Sequence, residues 1–324
     1  MNVSINIKRT TVSIVIIYRE ETPYLFECLD HCKKLKNQPQ ELILVPNNAP
    51  SQKLLDAVKD MQTVKIVPSG PKNIPQKRNI GVNAATGDII AFIDDDAYPE
   101  IYWLQKALPY FSDQTIGAVG GPNLTPHDDP FSRQIAGNVL KTEVAFGKGY
   151  IRNCYCPEQF VLELPTCNLL VRRSLFETIS FDESLAIGED DKLCVDITKN
   201  GLKILYSPEV VVYHHRRKIF LPFLKQFFYY GLFNGKLLRS GKKHRWYYLV
   251  PSAFLFFIIV GFIVSWLHPL IAYFYIGVLC LYAVTTLIGS IRNAKAYEIP
   301  ATWLVIFLAQ MSYGIGFMIG LAKK

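Results

Sequence analysis

The sequence predicts an α/β domain with a mostly parallel central sheet, then interfacial helices and a C-terminal transmembrane helical segment. Three observations carry this reading. Between residues 11 and 120, short apolar runs alternate with longer helix-like stretches, the pattern of strand–helix units whose sheet is covered on both faces. One of those runs, residues 89–93, stops at three consecutive aspartates, Asp94, Asp95 and Asp96. Finally, residues 246–267, 269–291 and 299–322 contain no formally charged side chain. Each of these matches the ~20 residues that a helix needs to cross a bilayer core.

The elements follow in chain order. Residues 12–17 (VSIVII) are a continuous apolar run of strand length. Residues 23–35 are predicted helical, 41–45 a second strand, 52–61 a second helix and 64–67 a third strand. A helix over 76–85 stops at Gly87, and 89–93 is the fourth strand. The acidic triplet after it would cap a helix beginning near Pro99. Residues 121–165 scatter Gly, Pro and Asn among aromatics and read as loops near an acceptor site. A short helix is expected near 174–178, and another starts near Glu189. Residues 210–213 form a late strand ending at His214 and His215. Residues 219–238 carry Phe227, Phe228, Tyr229, Tyr230 and Phe233 among lysines, which suits one or two interfacial amphipathic helices.

The 324 residues and net charge of +8 suit one large domain or two smaller units. The positive charge is local. No Asp or Glu lies between Glu209 and Glu298, whereas Arg216, Arg217, Lys218, Lys225, Lys236, Arg239, Lys242, Lys243 and Arg245 all do. A basic segment ahead of a membrane span favours the cytoplasmic side and anionic lipid headgroups. Nucleic acid is the rival partner for basic charge; the adjoining span and the lack of a nucleic-acid module argue against it. The N-terminal stretch has no signal-peptide pattern, so the first part of the chain is expected in the cytosol with reduced thiols. The Cys28/Cys32 and Cys154/Cys156 pairs lack a second pair at zinc-finger spacing.

The aspartates pose the chemical question, because adjacent buried carboxylates repel one another. In an extended segment Asp94 and Asp96 face one crevice while Asp95 turns elsewhere. Oxygen ligands of this kind suit Mg2+ or Mn2+, which completes its shell with substrate phosphates. A metal there would offset charge building on a diphosphate leaving group.

With these segments in view, the chain resembles the family 2 glycosyltransferases with their GT-A nucleotide-sugar fold. The likeness covers roughly residues 10–235. VSIVIIYRE resembles the first strand and its loop. QKRNIGVNAATGDIIAFIDDDAYP resembles the long signature ending in DxD, TCNLLVRRSLFETISFDESLAIGEDDKL the acceptor-side signature, and PEVVVYHHRR the close of the catalytic domain. The resemblance implies metal ligation by Asp94 and Asp96, with His214 or His215 completing the shell or touching the diphosphate. It implies Asp190 as catalytic base in an inverting transfer. Lys77, Arg78 and Asp95 would lie near the nucleotide or diphosphate, and Arg19 and Glu20 near base and ribose. Where relatives carry a base-reading aspartate this chain has Pro46, followed by Asn47 and Asn48, so Asn47 becomes the candidate contact and a UDP-sugar only the default donor. Polymer-making relatives carry Gln-x-x-Arg-Trp before a span. Here Lys242-Lys243-His244-Arg245-Trp246 keeps the last two, which favours transfer of single sugars.

The expected organisation is a cytosolic GT-A domain over 1–218, a basic interfacial segment over 219–245 and a membrane domain with three spans over 246–324. The implied partners are a nucleotide-diphosphate sugar and a lipid-linked or membrane-proximal acceptor. The implied place is the cell membrane, multi-pass, in envelope polysaccharide or glycolipid synthesis. No G-x-G-x-x-G follows the first strand and no G-x-x-x-x-G-K-[ST] is present, which excludes dinucleotide and P-loop enzymes. A membrane transporter or scaffold with a degenerate sugar-nucleotide domain is the rival. A transporter needs polar groups in its spans, and Gln310 is the candidate.

Overall fold

The computed structural model describes residues 10–61, 63–185, 187–240 and 246–322. Lys242, Lys243, His244 and Arg245, on which the orientation and processivity readings drew, lie outside them. The chain divides into two units, Met1–Leu124 with Cys154–His214, and Thr125–Asn153 with His215–Lys324. These boundaries differ from the predicted ones. Residues 125–153 group with the C-terminal helices, and the first unit ends at His214 rather than at 218.

In chain order the elements begin β1 (Val12–Ile17), α1 (Pro23–Lys34), β2 (Glu41–Val45), α2 (Gln52–Val58), β3 (Val64–Ile66), α3 (Ile74–Ala84) and β4 (Ile89–Asp94). They continue β5 (Ala97–Pro99), α4 (Trp103–Ala107), β6 (Ile116–Gly120), β7 (Asn123–Leu124), α5 (Phe131–Lys141) and α6 (Glu143–Phe146). Then follow β8 (Gln159–Val161), β9 (Leu169–Arg172), α7 (Glu189–Lys199), β10 (Lys203–Tyr206), β11 (Val212–His214), α8 (Leu221–Arg239), α9 (Val250–Val264), α10 (Pro269–Asn293) and α11 (Ile299–Ala322).

In the first unit the main sheet has the order β3-β2-β1-β4-β9-β6-β10-β8. Strands β1 to β4 pair in parallel, β9 runs antiparallel between β4 and β6, and β8 is an antiparallel edge. From β1 the chain goes first to one side, through β2 and β3, and then to the other, through β4. The carboxyl ends of β1 and β4 therefore flank the switch point where such sheets bind ligands. Register puts Ile17 opposite Asp94. The core under this crevice holds Ile14, Ile16, Leu42, Leu44, Ala91 and Ile93, all buried. A second sheet, β5-β11-β7, stands beside it. Here the structure departs from the expected helix near Pro99. Residues 97–99 form an edge strand that pairs with β11, and helix begins only at Trp103.

Helix α3 opens on a reciprocal cap between Asn73 and Gln76 and lies close on β1. A Cβ on Gly81 would fall 2.4 Å from Val15 Cγ1. That approach buries the side chains of Lys77 and Arg78 beneath the crevice.

One buried carboxylate ties this region together. Glu41, 2 % exposed, accepts from Ser13 Oγ at 2.6 Å, the Thr86 amide at 2.6 Å and Thr86 Oγ1 at 2.8 Å, and pairs with Lys65 Nζ at 2.5 Å. Burial would raise its pKa, but the Lys65, Ser13 and Thr86 contacts outweigh that and hold it down at about 2. Its folded pKa lies below the unfolded one, so its contribution is complete above the unfolded value and is lost as pH falls toward 2. Glu41→Ala leaves these donors unpaired and should cost roughly 3–5 kcal/mol. Chemical denaturation of the detergent-solubilised chain at neutral pH measures it, and a loss below 1 kcal/mol contradicts the assignment.

In the second unit, α5 occupies a stretch expected to be loop. Its apolar residues Ile135, Ala136, Val139 and Leu140 are buried against α8 and α11; their helical spacing is present in the sequence, obscured by the surrounding Gly and Pro. Helix α8 is one helix, and its inner face packs on α11 through small residues. A Cβ on Gly231 would lie 2.0 Å from the Tyr313 carbonyl oxygen, and one on Gly316 2.0 Å from that of Phe228. The pairs Gly231/Gly235 and Gly316/Gly320 form two facing glycine seams at i, i+4 spacing, which let helix backbones touch. Phe227 is accordingly buried in protein, while Lys225 and Tyr229 face outward. Gly316→Leu has no space to enter and should prevent α8–α11 packing. The expected result is failure to purify as a monodisperse species, and a melting profile like that of the parent chain rules the seam out.

Two of the described helical segments, Pro269–Asn293 and Ala296–Ala322, are long and apolar enough to cross a membrane. The first predicted span, 246–267, holds a shorter helix. A 3-10 turn over Trp246–Leu249 precedes Pro251, and α9 covers 15 residues. Gln310 donates from Nε2 to the Val144 carbonyl at 2.7 Å and accepts from Tyr282 Oη at 2.6 Å. It serves helix packing, which removes the feature that favoured a transporter.

Candidate active site

Strand β4 delivers Asp94 to the crevice floor and the turn after it carries Asp95 and Asp96. His214 is 118 positions away in sequence, and the small sheet brings it there. β11 pairs His214 with Ala97, next to Asp96, and His214 Nε2 stands 3.1 Å from Asp96 Oδ1. One ligand atom from each of Asp94, Asp96 and His214 lies within 4.8 Å of the others. His215 takes a different path. Its Nδ1 lies 2.8 Å from Asp129 Oδ1 within the second unit, so of the two predicted histidines only His214 joins the carboxylates.

Electrostatics mark the site as short of positive charge. Burial pushes the Asp94 carboxyl up and Asp96 adds to it, with Arg78 opposing. Asp95 is driven up to about 7 by burial and by Asp96 and Asp94. Burial would lower the His214 pKa, yet Asp96 and Cys167 outweigh it and carry it up to about 10. A divalent cation would fit this donor set of two carboxylates and an imidazole.

Arg78, expected near the nucleotide or diphosphate, is engaged by carboxylates. It is 5 % exposed. Its NH1 donates to Glu189 Oε1 and to Asp190 Oδ1, each at 2.8 Å, and NH2 reaches Asp94 Oδ1 at 3.3 Å. Glu189, Asp190 and Asp191 fill the first turn of α7 after Gly188, whose φ of 83° opens the helix, a placement that the helix dipole favours. Asp190 Oδ1 also accepts from Thr166 Oγ1 at 2.8 Å, and Oδ2 from the Thr166 amide at 3.2 Å. Thr166 and Cys167 were missed as site residues, although TCN heads the acceptor-side signature.

The other predicted contacts divide. Lys77 Nζ donates to the Tyr18 carbonyl at 2.5 Å and is 4 % exposed; it braces the loop after β1, and burial lowers its pKa. Arg19 and Glu20 stand exposed after β1, 3.7 Å apart. Asn47 Oδ1 is buried with no hydrogen-bond partner among the described residues, an acceptor available beside β2.

The family model for glycosyl transferase family 2 matches residues 13–179, just over half of the chain. The chain belongs to glycosyl transferase family 2. This family 2 enzyme is 24 % identical over 326 aligned residues to a dolichyl N-acetyl-alpha-D-glucosaminyl phosphate 3-beta-D-2,3-diacetamido-2,3-dideoxy-beta-D-glucuronosyltransferase of Methanococcus voltae, covering 96 % of this chain and 97 % of that one. It is 28 % identical to the succinoglycan biosynthesis protein ExoM of Rhizobium meliloti strain 1021, over 54 % of this chain and 57 % of the relative. Among solved structures, a mannosyltransferase from Pyrobaculum calidifontis in complex with GDP-Man and Mn2+ superposes with a TM-score of 0.56 at 17 % identity, over 98 % of this chain and 88 % of the other. That likeness bears on the GT-A fold alone. The family 2 chain is thus a glycosyltransferase, and its apolar C-terminal helices fit membrane anchoring.

Proposed function

We propose that the protein transfers one sugar from a nucleotide-diphosphate sugar to a lipid-linked or membrane-proximal acceptor, with inversion at the anomeric carbon. The observation that carries this is the convergence of Asp94, Asp96 and His214 with Asp190 around one crevice, joined through Arg78. Asp94, Asp96 and His214 would hold Mg2+ or Mn2+. When bound, the ion supplies Lewis-acid stabilisation of the leaving diphosphate. Asp190 takes the proton of the attacking hydroxyl, the work a carboxylate within hydrogen-bond reach can do. Its Oδ2, which accepts one longer amide contact, is the oxygen left to do so, because Oδ1 accepts from both Arg78 and Thr166. Asn47 Oδ1 would accept an N–H of the nucleotide base, with UDP the default. The dolichyl-phosphate-linked acceptor in the Methanococcus voltae relative's name and the near full-length match support a lipid-linked acceptor.

The test is a screen of nucleotide sugars against the purified, detergent-solubilised chain with and without Mn2+. Release of sugar from one donor supports the reading; silence with every donor and acceptor lipid favours the scaffold. For placement, the catalytic unit faces the cytosol and the chain crosses the membrane more than once. A cysteine appended after Lys324, in a background lacking the native cysteines, reports the far end. Labelling by an impermeant thiol reagent from outside supports an odd number of crossings, and labelling only after the cytosolic face is opened rules it out.

A further inference from the structure

A second carboxylate sits beside the base, and the transfer step as described does not use it. Glu189 is 7 % exposed. Burying it next to Asp190 is unfavourable by repulsion as well as desolvation, and both act on it, with burial pushing its carboxyl up and Asp190 adding to the effect. Its hydrogen-bond partner is the same Arg78 NH1 that serves Asp190. One guanidinium nitrogen is therefore divided between two carboxylates, while the other turns to Asp94. An undivided guanidinium and carboxylate close into a two-bond fork, and a carboxylate held that way is a poor proton acceptor.

We propose that Glu189 is a positioning residue for transfer: by taking a share of Arg78 it keeps the guanidinium from closing on Asp190. Arg78 in turn spans the metal-ligand side and the base side of the crevice, with its face over the Phe181 ring at 5.6 Å. The arrangement gives the Asp190 carboxylate one bond from Arg78 and two from Thr166, and leaves Oδ2 with only the longer amide contact. This rests on the reading of Asp190 as base.

The experiment uses the full chain. Glu189→Gln retains the shape of the side chain and removes its charge, so its amide oxygen competes for Arg78 more weakly than the Asp190 carboxylate does. Its structure should show both terminal nitrogens of Arg78 within hydrogen-bond distance of Asp190. Its kcat should fall about tenfold or more, with the KM for the donor found in the screen within about twofold. Arg78→Gln in the Glu189→Gln background removes the cation as well, and should regain part of that kcat. Arg78→Gln alone strands the buried carboxylates, so its melting temperature should drop and should recover in the double variant. An Arg78 that stays in place in Glu189→Gln, or a double variant slower than Glu189→Gln, overturns the proposal. If the parent chain transfers no sugar at all, the function reading fails, and the Arg78 position in Glu189→Gln still decides this one.

Discussion

Asp190→Asn retains donor binding and loses transfer by ~10² or more, the scale on which removal of a general base acts. The amide is nearly the same size, and its oxygen can still accept from Arg78 and Thr166, so the α7 start should keep its place. What disappears is a group able to take a proton. The loss should therefore fall on kcat, with donor KM little changed. Comparing nucleotide-sugar binding with transfer rate in the same preparation checks this. Near-normal turnover would move the base elsewhere, to Glu189 or Asp191. It would alternatively mean that the acceptor attacks through a phosphate, which arrives already ionised and needs no base. The same variant thus reports on acceptor class.

What the sequence disclosed and what it withheld follow from the range of the interactions. Strands β1, β2 and β4 and helices α1 and α3 were legible because each is specified by its own apolar period and local stop signals. The Asp94–Asp96 pair was legible because i, i+2 geometry is local. The convergence of His214 on Asp96 is not local. It depends on β11 pairing with β5, and β5 itself was read as a helix start, since nothing in AYP signals an edge strand without its partner. Arg78 shows the opposite failure. Its position was found but not its partners, because nothing local in the sequence brings Glu189 and Asp190 to within 2.8 Å of it. In α8 the aromatic pattern was seen, but not the packing of its inner face on α11. The glycines at 231, 235, 316 and 320 determine that its inner face meets protein, and their meaning appears only when two helices 80 or so residues apart are set side by side.

Chelation should abolish transfer, and added Mn2+ or Mg2+ should restore it. The argument begins with charge. Asp94, Asp95, Asp96, Glu189 and Asp190 crowd one end of the sheet. Arg78 is a buried cation among them, His214 stands against Asp96, and Lys77, which lies near Asp95, is spent on the Tyr18 carbonyl. Three of those carboxyls, Asp94, Asp95 and Glu189, are pushed up by burial and by their neighbours, which a further positive charge would relieve. A nucleotide diphosphate brings more negative charge to the same place, so donor binding without a cation is opposed by every carboxylate present. Asp96→Asn removes one ligand and the partner of His214 together. It should weaken Mn2+ binding, measured by calorimetry on the donor-free protein, and reduce transfer to near background while the melting temperature holds. His214→Ala keeps both carboxylates, so its transfer should recover in part as Mn2+ is raised, whereas that of Asp96→Asn should not. Full turnover of the parent chain in excess EDTA would remove the metal from this account and leave the His214–Asp96 pair as a structural link between β11 and the turn after β4.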